Sequence, residues 1–140
     1  MKGELKTGRG RILADFVITL WPSDIDSKPI VTPNFKRSLV YASLSTQPAD
    51  KIENFIQINF TFWPVDITSF ATYPVKTPEE ALNDLKNGKG IVIVEPSTPR
   101  ASISDIYLAY YQSEIYTPYL QPIYVFEGPE FVGFIAAIAR

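Results

Sequence analysis

A chain of 140 residues with 46% hydrophobic and 14% aromatic residues can bury a core without disulfides or metal, and is too apolar to remain disordered. Its 13 Lys and Arg against 15 Asp and Glu give a formal net charge of -2. The basic residues are scattered, which excludes the clustered basic face of a nucleic-acid binder. The absence of cysteine and histidine removes disulfides, thiolate catalysis, zinc–thiolate sites, the commonest general base and the commonest transition-metal ligand.

In chain order, residues 1–11 are polar, with three Gly and four basic residues, and predict a flexible N-terminal segment. Residues 12–21 alternate. Ile12, Ala14, Phe16, Ile18 and Leu20 form an apolar face, and Asp15 marks the wetter face of a strand. Residues 22–33 hold Pro22, Pro29, Pro33, Asp24 and Asp26, and predict a long loop with a short extended piece at Pro29-Ile-Val-Thr. Leu39–Leu44 and Ile52–Trp63 predict a hairpin joined by the polar turn Ser45–Lys51. In its second strand Ile56, Ile58, Phe60 and Phe62 are the expected core face, opposite Phe55, Gln57, Asn59, Thr61 and Trp63. Pro64 ends that strand, because proline cannot donate into a ladder.

The stretch Tyr73–Gly90 is the best-specified element. Thr77 suits an N-cap, Pro78 the first helical position, and Glu80 completes a capping box, while Glu79 and Glu80 face the positive end of the helix dipole. Asn87-Gly88 supplies a stop. The spacing predicts a helix over 78–87 with Leu82 and Leu85 buried. Beyond it, Ile91–Glu95, Ile103–Gln112, Leu120–Glu127 and Phe131–Ile138 predict a four-stranded antiparallel meander, with Gly128-Pro129 as its last turn. A helix of about three turns must bury its Leu face, and only sheets are available to cover it. The expected class is therefore α+β: antiparallel sheets with one main helix packed on a face, forming a single domain over 12–140 with halves at 12–70 and 74–140.

Three groups of residues merit weighing as sites. Asp24 and Asp26 could seat a hard cation, but an Asx turn in a solvated loop explains them better. Glu127 with Glu130 or Glu95 offers an acid–base pair only if the carboxyls converge in a cleft. The tyrosines Tyr107, Tyr110, Tyr111, Tyr116, Tyr119 and Tyr124 could line a groove for a peptide or glycan, although half-buried strand positions also use tyrosine. Of these, Tyr107, Tyr111 and Tyr124 are the expected partner-binding residues. No run of 18 apolar residues occurs, so the sequence as given is expected neither to insert into a membrane nor to open with a signal peptide.

The order Thr77-Pro-Glu-Glu-Ala, then Ile106-Tyr-Leu-Ala-Tyr-Tyr, then Tyr119-Leu-Gln-Pro-Ile-Tyr-Val-Phe-Glu-Gly resembles the PepSY-like repeat and the related extracytoplasmic domains of the YycI and YycH type. The likeness covers about residues 74–138, and its motifs are structural rather than catalytic. It implies an extracytoplasmic binding or regulatory module, the soluble part of a membrane-anchored protein, that takes a protein or peptide partner. It also implies an alternative, a peptidase-inhibitory or pro-domain-like module. In this reading the chain is not an enzyme, needs no cofactor or metal, and has in Ile52–Trp63 an exposed edge through which it could form a homodimer.

Overall fold

A computed structural model describes residues 2–8, 11–45 and 55–139. In chain order its elements are β1 (Lys2–Gly8), β2 (Arg11–Thr19), β3 (Ile30–Val31), β4 (Val40–Ser45), β5 (Phe55–Phe60), α1 (Pro78–Lys86), β6 (Ile91–Val94), β7 (Asp105–Tyr111), β8 (Gln121–Gly128) and β9 (Phe131–Ala136). The class is α+β, with two mostly antiparallel sheets and one helix. Two compact units divide the chain: Met1–Pro22 with Lys36–Pro64, and Ser23–Phe35 with Val65–Arg140. The division is not the sequential split at about residue 70, because β3 pairs with β7 and takes its flanking loop into the second unit.

The first unit is a four-stranded sheet in the order β1-β2-β4-β5, antiparallel throughout. Within the expected flexible segment of residues 1–11, Lys2 to Gly8 form β1 and run against Val17 to Arg11, while residues 1, 9 and 10 lie outside the described residues. Ladder hydrogen bonds belong to the backbone and not to apolar side chains, so a polar, Gly-containing strand can still cover the open edge of its neighbour. The expected hairpin is present as β4 and β5, with a bulge at Ser43/Leu44. Its strand ends at Phe60 rather than Trp63, although Thr61 N still donates to Leu39 O. Most of the expected turn, and residues 52–54, lie outside the described residues.

The second unit is a five-stranded sheet in the order β3-β7-β8-β9-β6. Strands β7, β8 and β9 follow one another as expected, but β6 does not precede them at the β7 edge. It pairs antiparallel with β9, and the β7 edge is taken by the two-residue strand β3, running parallel. Alternation along β8 and β9 sends side chains to two separate clusters. Val125, Ile123, Val132 and Phe134 meet Val31 and Ala109 on one face, while Tyr124, Phe126, Phe131 and Ile135 meet Ala81 of the helix on the other. The sheet is thus covered on both sides.

The helix forms for the local reasons its sequence carries. Glu80 N donates to Thr77 Oγ1 at 3.2 Å, and Thr77 N donates to Glu80 Oε2 at 2.8 Å, closing the capping box. Gly88, at φ +71°, ends it in the left-handed region. Its deepest residue is Ala81, fully buried, whereas Leu82 and Leu85 are half-buried against the cluster rather than enclosed by it. A small side chain at the contact lets the helix axis come close to the sheet, and the two leucines then flank the contact. Gly133 completes this fit, because a Cβ there would stand 2.9 Å from Phe131 Cζ and 3.3 Å from Leu85 Cδ1. Asp84 bonds Lys76 and Lys89 at 2.9 Å each and ties the helix to the segment before it, where Lys76 N donates to Ala137 O. The hydrogen bond from Lys76, then that from Lys89, holds the Asp84 carboxyl below the usual range.

Candidate interaction surface

The register of β2, β4 and β5 places apolar side chains in cross-strand rows on one face of the first sheet. Ile18 lies opposite Ala42, and Ala42 opposite Ile58. Two residues along, Leu20 N donates to Val40 O at 2.9 Å, and Val40 lies opposite Phe60. Phe62 continues the series, with its ring centroid 6.3 Å from that of Phe60. These large side chains are open to water: Ile18 is 37% exposed, Leu20 65%, Ile58 66%, Phe60 74% and Phe62 59%. Ala42 and Val40, between them, are half-buried. None of the seven positions carries a charge.

The opposite face is mixed, with exposed Gln57 and half-buried Val17, Ser43 and Asn59 around a buried centre. Thr19 and Tyr41 are 7% and 8% exposed. Thr19 Oγ1 and Ser38 Oγ are 2.8 Å apart, Ser38 N donates to Thr19 Oγ1, and Ser38 Oγ donates to Leu20 O at 2.6 Å. Asn59 Nδ2 donates to Leu39 O at 2.6 Å. Arg37 lies 4.0 Å above the Tyr41 ring. The buried hydroxyls of Thr19 and Ser38 are tolerated there because they are hydrogen-bonded. The pattern inverts the expectation that Ile58, Phe60 and Phe62 form a core face and that Ile18 and Leu20 lie on the dry side of their strand. Alternation identifies two faces of a strand, and the rest of the fold decides which one is covered.

The three expected partner-binding tyrosines do not form one surface. Tyr124 is a correction: it is buried on the helix side of the second sheet, with its hydroxyl donating to Lys76 O at 2.7 Å. Burial, then the negative charge of Glu79 and Glu80, raises its pKa. Tyr107 and Tyr111 lie two registers apart on the other face, half-buried against Val125 and Phe134. Tyr107 donates to Glu127 Oε2 at 3.1 Å, and burial followed by that carboxylate pushes its pKa well above the usual tyrosine range. Tyr111 meets Phe134 edge-on at 6.1 Å, and its pKa is raised by burial and then by Glu114. The open aromatic residues of this unit are elsewhere: Tyr116 and Tyr119, with Ile115, stand on the β7–β8 connection, and Phe70 and Tyr73 precede the helix.

The carboxylates are engaged separately. Asp26 sits at φ 50° in the turn between Ile25 and Lys28 and pairs with the Lys28 ammonium at 3.1 Å. Glu127 accepts from Tyr107, while Glu130 accepts from Ser97 Oγ at 2.8 Å. Among the described residues no three acidic side chains gather in a metal-ligating group, and no helix is long and apolar enough to cross a membrane.

The apolar face escaped the sequence reading because its signal, a period-2 run of Ile and Phe, is the same signal a core strand gives. No protein-family model matches the chain, and neither a curated protein nor a solved structure is significantly similar to it.

Proposed function

We propose that this chain is a non-enzymatic binding module that engages a protein through the open face of β2, β4 and β5. One observation carries the reading: five large apolar side chains, 37–74% exposed, stand in adjacent cross-strand rows with no charge among them. Scattered apolar residues are normal on a protein surface, whereas a contiguous patch of this kind marks an interaction site. In the same proposal the second unit is PepSY-like and the whole is the extracytoplasmic, regulatory part of a membrane-anchored protein. The helix that opens Thr77-Pro-Glu-Glu-Ala lies on the antiparallel strands β8 and β9, and Leu108-Ala-Tyr-Tyr of β7 runs beside Pro122-Ile-Tyr of β8, with Tyr110 opposite Pro122. That juxtaposition of the three resembling motifs supports the likeness.

Radical footprinting tests the binding face without knowledge of the partner. Phe60 and Phe62 should label readily in dilute purified protein and become protected in a native extract, while Phe70 and Ile115, exposed outside the face, label equally in both. Equal labelling of Phe60 in the two settings would remove the proposal.

A further inference from the structure

Resting on that reading of the face, we infer that its occupant is a second copy of this chain, packed sheet on sheet about a two-fold axis. Four features of the surface favour this occupant over others.

The first is area. Side chains of this size offer on the order of 200 Å² each when fully open, so the five together leave roughly 600 Å² of apolar surface in water. Two such faces brought together bury about 1,200 Å², which reaches the threshold of roughly 1,000 Å² for a specific interface. A shorter occupant, such as a single extended segment, would cover only part of it.

The second is chemistry. Ile18, Leu20, Val40, Ala42, Ile58, Phe60 and Phe62 include no donor, acceptor or charge on their side chains. The surface is therefore complementary to another apolar surface, and the nearest at hand is its own copy. A two-fold axis needs only that one patch match itself.

The third is shape. The face belongs to a twisted antiparallel sheet with a bulge in β4. Two equal sheets pack with strands at about -30° and faces about 10 Å apart, with large and small residues interdigitating. Here the small residue, Ala42, lies between Ile18 and Ile58 and forms the depression that a neighbouring ring can fill.

The fourth is charge. A formal net charge of -2 opposes self-association only weakly. The lack of any basic residue among the seven separates this face from a membrane-surface site, which pairs apolar insertion with Lys and Arg.

Sedimentation of the 140-residue chain from micromolar to near-millimolar concentration is the test. A concentration-dependent dimer is expected, weakened about tenfold or more by Ile58→Asp and by Phe60→Asp, and unchanged by Ile115→Asp, which is also exposed but lies outside the face. Because the natural chain has no cysteine, Ala42→Cys adds an independent readout: near the two-fold axis it should form a disulfide-linked dimer on mild oxidation. A chain that stays monomeric throughout overturns the inference, and so does a monomer that instead binds neutral phosphatidylcholine vesicles. A dimer indifferent to both Asp substitutions would lie at another surface and overturns it equally. Monomeric behaviour combined with protection of Phe60 in the native extract would leave the binding face standing with a different partner, so the two readings fail separately.

Discussion

The two sheets solve the same problem in opposite ways. In the five-stranded sheet both faces are buried: the loop after β3 brings Phe35 onto one, where it meets Phe134 edge-on, and the helix brings Ala81, Leu82 and Leu85 to the other. In the four-stranded sheet one face holds hydrogen-bonded Thr19 and Ser38 and buried Tyr41 beneath Arg37, and the other holds Ile58, Phe60 and Phe62 in water. Apart from polar β1, the strands of both sheets carry runs of large apolar residues. What differs is whether the intervening segments supply a layer, and a sheet face without one is a surface available for binding.

Substitution of matched phenylalanines gives the widest contrast. Phe126, fully buried between helix and sheet, should lose about 3–5 kcal/mol on replacement by alanine, whereas Phe60→Ala should stay within about 0.5 kcal/mol in dilute protein. Urea denaturation of both variants at low concentration measures the difference, and equal losses would mean that the β5 face is covered after all. The helix layer is next in size. Leu85→Ala should cost about 2 kcal/mol, at the low end of the usual range because the side chain is only half-buried, against almost nothing for exposed Lys86→Ala. Matching effects would place Leu85 away from the sheet. Thr77→Ala removes a cap whose bonds are in place on both sides and should cost about 1 kcal/mol by the same measurement. If it costs nothing, the first turn is held by its neighbours instead.

The smallest effect concerns pH. Tyr107, Tyr111 and Tyr124 all have raised pKa values in the folded chain. Above the unfolded value of about 10, the unfolded chain releases tyrosine protons that the folded chain keeps. The contribution of these tyrosines to stability should therefore be level below that pH and fall as pH rises beyond it. Tyr107→Phe should flatten part of the fall, and an unchanged slope in that variant would locate the linkage at other tyrosines.

Elements whose determinants lie within a few residues were readable before folding. Thr77, Pro78, Glu80 and Gly88 act on backbone groups three or four positions away, so the helix was placed to within one residue. The alternation of β7, β8 and β9, and the extended piece at Ile30-Val31, follow from patterns of similar range. Long-range choices were not readable. The parallel partnership of β3 with β7, the placement of β6 beside β9, and the pairing of polar β1 with β2 are decided by backbone hydrogen bonds between distant residues, which leave no periodic trace in side chains.

By itself, then, the sequence determined an α+β class, one capped helix after residue 77, and strands with two chemically distinct faces. Only the tertiary structure decided that Tyr124 is core while Tyr107 and Tyr111 lie on the other side of their sheet, and that Ile58, Phe60 and Phe62 face water. The physical reason is that period-2 hydrophobicity records which side chains favour burial, whereas burial itself depends on a covering layer that comes from elsewhere in the chain or from a partner.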